Sequence, residues 1–248
     1  MTTTTIHTAP TSPHTAPDVR ADRPRSVRWE LAAALRTFAR EGYEFGFNGH
    51  VSARAPEAPG HYWVNPVGIS AATITPGDLV LVDDEGNVVG PAASPINGFA
   101  GNLTLHQQVP DAEVAIHLHT PYGFIWSNLG RPLEAVTTDA ALVVGLQGLT
   151  RQIWGEPDGP TAVDRALEGA RVSLQAGHGF LTLGTSVGEA AFYLLAAERA
   201  AHQNVALLPV PDRAVLPADS VARWTLTPEL AAAHFETSFT RIAAEGVR

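Results

Sequence analysis

The feature that most restricts the fold of this chain is a series of short β-forming runs separated by turn residues. These runs cover residues 50–54, 61–65, 78–82 and 114–119, and the segment LVLVDDEGNVVG predicts a hairpin that turns at residues 84–87. Strands joined by tight turns pair antiparallel, whereas parallel strands need long crossover connections. The sequence therefore predicts a mixed or largely antiparallel sheet rather than a doubly wound parallel one.

Helical patterns are interspersed with these runs, which predicts an α/β fold with helices on the faces of the sheet. Apolar residues at three-to-four spacing indicate an amphipathic helix at residues 25–42. The Ala-rich stretch 187–208 predicts a long helix that begins at an N-cap, Ser186, and carries a Glu three residues later. Further helices are predicted at residues 99–108, 122–129 and 160–170 and from Pro228.

The composition sets the domain organisation and excludes several classes of function. Residues 1–22 are rich in Thr, Pro and Ala and predict a disordered arm, which leaves residues 23–248 for the folded domain. With a net charge of -9 and no basic cluster, the chain is not expected to bind nucleic acid or anionic membranes. It contains no cysteine, no bilayer-length apolar run and no signal-peptide pattern, so we expect a cytoplasmic location.

The strongest chemical pattern is the pair His117 and His119 on a predicted strand. Residues two apart on a strand point to the same face, so both imidazoles can ligate one metal ion. His178 lies in a glycine-flanked turn between two apolar strand pieces and is the best candidate for a third ligand. Three ligands leave positions open for substrate, as a catalytic metal requires. Spacing alone also allows two partly exposed polar residues on a sheet.

Two further histidines are candidates for the same site. His50 follows Asn48 and Gly49 and is expected to line the pocket. His106 lies on a predicted helix just before the histidine strand, where it faces either the pocket or solvent.

These motifs resemble the class II aldolase/adducin family. AIHLHTPYG resembles the metal-binding strand of that family, and GHGFLTLG with the following helix resembles its third-histidine turn. FNGHVSAR, YWVNPVGI and the hairpin resemble its N-terminal half, so the resemblance runs from Trp29 to Leu208. It implies a three-layer α/β/α domain with a largely antiparallel central sheet. It also implies homotetramers with active sites at subunit interfaces, and one divalent metal ion per subunit on His117, His119 and His178.

The departures from the family pattern narrow the chemistry. The family's sugar-phosphate aldolases carry a catalytic Glu nineteen residues before the first metal histidine, and this chain has Gly98 there. No acidic residue lies between Pro91 and Pro110. The loop that matches their phosphate-binding loop reads Gly49-His50, and of their serines a counterpart remains only in Ser94. Phosphorylated substrates are therefore not expected, and His50 is positioned to bind a carboxylate instead.

These observations favour a lyase that cleaves a C–C bond, by retro-aldol reaction or decarboxylation, in a non-phosphorylated 2-oxo or 2-hydroxy acid. The metal is Zn, Mn, Co or Fe(II), since three histidines accept each of them. His50 is the expected substrate clamp, and His106 or Tyr122 the candidate proton donor. The candidate substrate-binding residues are Asn48, Gly49, Gly68, Ser94 and Asn97.

Two alternatives stay open at this point. One is a mononuclear non-haem Fe(II) oxygenase acting on an aryl oxo- or hydroxy-acid, because the family includes oxygenases that make prenylated benzoates and three histidines can hold Fe(II). The other is a non-catalytic assembly module like the adducin head domain. The retained histidines weigh against that module, since a scaffold needs no open metal site.

Overall fold

The computed structural model describes residues 25–90, 94–150 and 161–247. The arm predicted at residues 1–22 lies outside these ranges.

The described residues form one mixed sheet of eight strands in the order β4-β3-β2-β1-β5-β8-β7-β6. The strands are β1 His50–Arg54, β2 Tyr62–Val64, β3 Val80–Val82, β4 Val88–Val89, β5 Val114–Leu118, β6 Gln147–Thr150, β7 Val172–Gln175 and β8 Gly179–Gly184. Every neighbouring pair is antiparallel except β6 and β7, which run parallel. The predicted largely antiparallel sheet is confirmed, and so is the hairpin between β3 and β4.

Helices pack on both sides of this sheet, which confirms the expected layered architecture. They are α1 Val27–Arg40, α2 Phe99–Gln108, α3 Pro121–Ser127, α4 Thr138–Val144, α5 Ala162–Leu167, α6 Val187–Leu207, α7 Ala218–Trp224 and α8 Pro228–Ala244. The Ser186 side chain accepts a hydrogen bond from the Glu189 backbone N–H, as the predicted N-cap requires. The sequence did not predict α4, β6 or α7, because each is too short to show a clear period.

The larger part of the core lies on the face of the sheet that packs against α6. Val51, Ile116 and Leu118 alternate with the histidine positions along β1 and β5 and are buried on this side. Helix α6 in turn packs against α1, α3, α4 and α8. This layer of apolar contacts fixes the register of the central strands.

The opposite face is covered less completely. Leu105 of α2, Ala166 of α5 and Leu181 of β8 form a smaller apolar cluster there. Near the adjoining ends of β5 and β8 the two helices leave a cleft, and the histidines lie in it. No helix among the described residues combines the length and apolar character needed to cross a membrane.

Candidate metal centre

Strand pairing brings three histidines together in the cleft near the adjoining ends of β5 and β8. His117 lies on β5, His119 follows that strand, and His178 lies in the turn between β7 and β8. One nitrogen from each ring can be chosen so that all three lie within 4.8 Å of one another. The His117 and His178 rings are stacked with centroids 4.6 Å apart. This spacing suits three imidazoles that share one metal ion.

The surroundings of His117 decide which of its nitrogens faces the site. Its Nδ1–H donates a hydrogen bond of 2.8 Å to the Phe180 carbonyl on the neighbouring strand. The Nε2 atom therefore carries the lone pair, and it is buried without a hydrogen-bond partner among the described residues. A ring held by a backbone carbonyl at one nitrogen and left unsatisfied at the other is the arrangement of a metal-ligating histidine. The residues present thus fit a divalent metal ion.

The turn that carries His178 lies against β5. The His178 N–H donates to the Gln175 carbonyl at 3.0 Å and closes the turn. Gly179 has a φ of +99°, and a Cβ there would lie 3.3 Å from the Leu118 carbonyl oxygen. Glycine is therefore needed at position 179 for two reasons: the backbone is left-handed there, and the turn approaches β5 closely.

Burial keeps the three imidazoles in the uncharged form that binds metals. Desolvation lowers the pKa of His117 well below its ordinary value, and the neighbouring His50 and His178 lower it further. Burial also lowers the pKa of His119 and of His178. All three are therefore neutral at pH 7 and do not have to lose a proton before binding a metal.

The histidines open into a cleft of about 900 Å³. Of the predicted substrate-binding residues, it is lined by Asn48, Gly49 and Asn97. No arginine lines the described part of the cleft, and its one acidic lining residue is Asp164. That carboxylate accepts hydrogen bonds from the backbone and hydroxyl of Thr161, so it is engaged at the start of α5. The lining is otherwise uncharged.

His50 is the fourth imidazole of the cleft. It lies directly opposite His117 in the pairing of β1 and β5, and the two ring centroids are 4.9 Å apart. Its Nδ1 is buried with no partner among the described residues. Burial chiefly, followed by His178 and His119, lowers the pKa of His50 to about 4. His50 is therefore a neutral hydrogen-bonding group beside the three metal-ligand candidates.

His106 is not in the cleft. It was expected to face either the pocket or solvent, but α2 turns it into the sheet, where it is fully buried. Its Nδ1–H donates to the Ala112 carbonyl at 2.7 Å, and its Nε2 accepts from the Ser52 hydroxyl at 2.8 Å. The ring also stacks on Tyr62. With both nitrogens engaged, His106 has no atom left to exchange a proton with a substrate.

The remaining predicted site residues also lie away from the cleft. The Tyr122 ring stacks on His202 with centroids 4.0 Å apart, and Tyr122 does not line the cleft in this chain. Gly68 and Ser94 are likewise absent from its lining. The structure therefore does not join these three residues to the histidines.

A stripe of small and polar residues on α2 was not predicted from the sequence. Gly101, Thr104 and Gln108 line the cleft at a spacing of three and four residues, which places them on one face of the helix. Asn102 lines its floor and is fully buried. Its Nδ2 donates to the Ser52 hydroxyl and the Ala115 carbonyl, both at 3.0 Å, and so ties α2 to the central strands. The helical period of these small and polar residues was the signal that pointed to a cleft.

Comparison with known proteins gives a consistent set of relatives. Residues 29–205 match the model of the Class II Aldolase and Adducin N-terminal domain. The meiotically up-regulated gene 14 protein of Schizosaccharomyces pombe is 32% identical over 174 residues, which cover 68% of each chain.

Two curated Streptomyces proteins match 84% of this chain at 30% identity. One is "Decarboxylase NovR" of Streptomyces niveus, of which the match covers 79%. The other is "4-hydroxy-3-prenylphenylpyruvate oxygenase/4-hydroxy-3-prenylbenzoate synthase" of Streptomyces roseochromogenus subsp. oscitans, of which it covers 77%. Among solved structures, the L-fuculose 1-phosphate aldolase from Glaciozyma antarctica PI12 has a TM-score of 0.78 and 26% identity, over 90% of this chain and 91% of the aldolase.

Proposed function

Because this chain belongs to the class II aldolase and adducin family, we propose that it cleaves a C–C bond in a non-phosphorylated 2-oxo or 2-hydroxy acid. The chain is a metal-dependent enzyme of this superfamily that acts on small molecules, as its decarboxylase, oxygenase and aldolase relatives indicate. The substrate class is our proposal. The observation that carries it is a set of neutral histidines in a cleft that contains no arginine and no unengaged carboxylate among its described residues.

The amino-acid composition excludes the main mechanism that cleaves the same bond without a metal ion. Aldolases that work without a metal form a Schiff base between a lysine amine and the substrate carbonyl. This sequence contains no lysine, since all 16 of its Lys and Arg residues are arginine. A lysine Schiff base is therefore excluded, and we propose that the metal site activates the carbonyl instead. A divalent ion bound by His117, His119 and His178 would supply Lewis-acid polarisation of the oxygen at C2.

The absence of cationic side chains among the described lining residues supports an acid without phosphate. Phosphate sites usually supply Arg or Lys, because two negative charges need compensation. Here the cleft offers Asn48, Asn97 and the neutral imidazole of His50. We propose that His50 donates a hydrogen bond to the substrate carboxylate and that the two amides orient the rest of the molecule.

The proposed bond cleavage needs little acid–base help from the protein. In a 2-oxo acid the bond between C3 and C4 breaks, and its electron pair stays on C3 in conjugation with the 2-oxo group. With a carboxylate at C4 the leaving part is carbon dioxide. With a hydroxyl at C4 it is a carbonyl compound, and the hydroxyl proton passes to water. In both cases a proton from water then adds to C3. Since His106 and Tyr122 lie outside the cleft, we do not propose either residue as the proton donor.

One of the relatives supports the oxygenase alternative. The Streptomyces relative whose name contains a phenylpyruvate, an aryl 2-oxo acid, matches 84% of this chain at 30% identity. A cleft of about 900 Å³ is large enough for a drug-sized aromatic acid. With Fe(II) on the three histidines, the same site would act on an aryl 2-oxo or 2-hydroxy acid with consumption of O₂.

Metal analysis and O₂ uptake separate these possibilities. Protein purified without oxygen would be analysed for Zn, Mn, Co and Fe. It would then be mixed with oxaloacetate and 4-hydroxy-2-oxopentanoate, which carry the C4 carboxylate or hydroxyl that the lyase step needs, and separately with phenylpyruvate, 4-hydroxyphenylpyruvate and the corresponding 2-hydroxy acids. For the lyase we expect one metal per chain and a C–C cleavage product without O₂ uptake. Iron with substrate-dependent O₂ consumption would replace the lyase by the oxygenase. A protein that takes up no metal on reconstitution would contradict both and leave the assembly module.

Assembly and location are further proposals. We propose a homotetramer, in line with the family resemblance, and a cytoplasmic location, in line with the composition. Phe45 and Phe47 are 72% and 61% exposed just before the Asn48 edge of the cleft, and burial against another subunit would remove that apolar surface from water. Light scattering of the wild-type chain and of Phe47→Asp tests this, and a monomeric wild type would contradict it.

A further inference from the structure

Gly98 begins α2 at the edge of the cleft, directly beneath the ring of His50. Its φ is +67°, and it is the N-cap residue of the helix. A Cβ built on Gly98 would lie 2.4 Å from Cε1 and 2.5 Å from Nδ1 of His50. Real Cβ atoms essentially never approach other heavy atoms so closely. The His50 imidazole therefore occupies the space into which any side chain at position 98 would project.

The backbone of His50 has little freedom to give way. The residue pairs with His117 in the sheet, and its carbonyl accepts a hydrogen bond from the Asn102 Nδ2. That same amide group also binds Ser52 and Ala115, so α2, β1 and β5 are held together at this point. A side chain at position 98 would have to displace the imidazole by rotating it, rather than by moving the strand.

From this packing we propose that Gly98 and His50 act as one specificity-determining pair, and that the pair selects substrates with a carboxylate at this place in the cleft. The inference rests on the proposed function, because it concerns how the same acid is recognised. Glycine at position 98 admits the imidazole, whose N–H donates a hydrogen bond to an anionic oxygen. An acidic side chain at position 98 would both displace that donor and repel a carboxylate. The exchange of one residue thus changes the charge that the cleft accepts.

A double-mutant cycle tests the pair through binding rather than turnover. The variants are His50→Ala, Gly98→Ala and the double variant, each loaded with Co²⁺ and titrated calorimetrically with phenyllactate as a probe acid. Loss of one hydrogen bond to a charged group weakens binding about 10-fold or more. We expect that loss in either single variant, and we expect the double variant to lie within about twofold of His50→Ala, because both changes remove the same ring.

A matched glycine outside the cleft separates this effect from backbone strain. Gly130→Ala introduces the same strain, since its φ is +60° with nothing within 4 Å of the added Cβ. This control should bind phenyllactate within about twofold of wild type. Metal stoichiometry should be unchanged in all variants, because the three ligand histidines are untouched.

The outcomes distinguish the inference from the proposed function. If the wild type binds phenyllactate and Gly98→Ala binds it equally well, or if the two single losses multiply in the double variant, the pair is overturned. If the metal-loaded wild type does not bind the acid at all, the proposed function is contradicted. In that case thermal unfolding still tests whether the His50 ring occupies the space next to Gly98. Gly98→Ala should lower the Tm more than Gly130→Ala does. This additional loss of Tm should vanish when His50 is also replaced by Ala. An additional loss that persists without the ring would overturn the pair.

Discussion

His106 and His117 are both buried histidines on the same side of the sheet, yet their surroundings differ at a single atom. Each ring donates from Nδ1 to a backbone carbonyl, that of Ala112 for His106 and that of Phe180 for His117. The Nε2 of His106 accepts a hydrogen bond from Ser52, whereas the Nε2 of His117 has no partner among the described residues. The His106 ring with its two partners, called the closed network below, is fully engaged, and the His117 ring with its one partner, the incomplete network, is not.

This difference distinguishes the histidine that can bind a ligand from the one that cannot. A buried polar atom without a partner destabilises the folded state by about 1 to 3 kcal/mol. The sheet tolerates that at His117, where two more histidines converge, and avoids it at His106. Burial and residue type alone would have placed both histidines in the same category. The unsatisfied nitrogen, and not the burial, marks the functional histidine.

The largest effect, on metal affinity, is expected from removing His117, the ring of the incomplete network. His117→Ala takes away one of three ligands, so we expect metal affinity to fall at least about 100-fold and activity to be lost. Elemental analysis after dialysis and an assay with the metal added back measure both. His61→Ala removes a histidine outside the cleft and serves as the control. One tightly held metal per chain in His117→Ala would contradict the site.

The closed network should matter more for stability than for metal. In metal-free protein we expect His106→Ala to lower the free energy of unfolding by roughly 3 to 4 kcal/mol, because it leaves a cavity and unpairs the Ala112 carbonyl. His117→Ala should lower it by about 1 to 2 kcal/mol less, since it also removes an unsatisfied nitrogen. Urea unfolding in the presence of a chelator measures both. The reverse order would invalidate the comparison of the two histidines.

Acid should act on the closed network in a defined pH window. The pKa of His106 is lowered from its ordinary value of 6.5 to about 4, chiefly by burial; the hydrogen bond to the Ala112 carbonyl opposes this shift and the facing Arg54 adds to it. The unfolded chain therefore binds more protons between these two values. His106 contributes stability above pH 6.5 that is lost as the pH falls towards 4, by up to about 3 kcal/mol. Unfolding free energies of metal-free protein across this range should fall less steeply in His106→Gln, and equal slopes would exclude His106 as a cause.

The smallest effect is expected from a substitution that leaves the His106 Nε2 without a partner, like the His117 Nε2. Ser52→Ala removes the hydroxyl that donates to the His106 Nε2 and leaves that atom unpaired, at an expected loss of about 1 to 2 kcal/mol in unfolding free energy. Ser70→Ala alters an exposed serine and should change stability by less than about 0.5 kcal/mol. Metal content should stay the same in both variants. A fall in metal content in Ser52→Ala would mean that the two regions are coupled.

Much of the fold was predictable because its signals are local. The hairpin between β3 and β4, the Ser186 cap of α6 and the alternation of side chains between the two faces of β5 depend on residues a few positions apart. Helix α4 and strand β6 were missed because their short runs carry no distinct period and are stabilised by tertiary packing. Strand β6 also pairs parallel with β7, a contact that turn patterns do not reveal.

The candidate site divides in the same way. His119 lies one residue past the end of β5, but it faces the same side as His117 because extended chain has a two-residue period, so the sequence by itself determined this pairing. Only the tertiary structure decided that His50 stands over Gly98, that His106 is enclosed and that Tyr122 stacks elsewhere. The partner of the His117 Nδ1, the Phe180 carbonyl, is 63 residues away in sequence. Which nitrogen is satisfied depends on strand pairing at that range, and no local pattern encodes it.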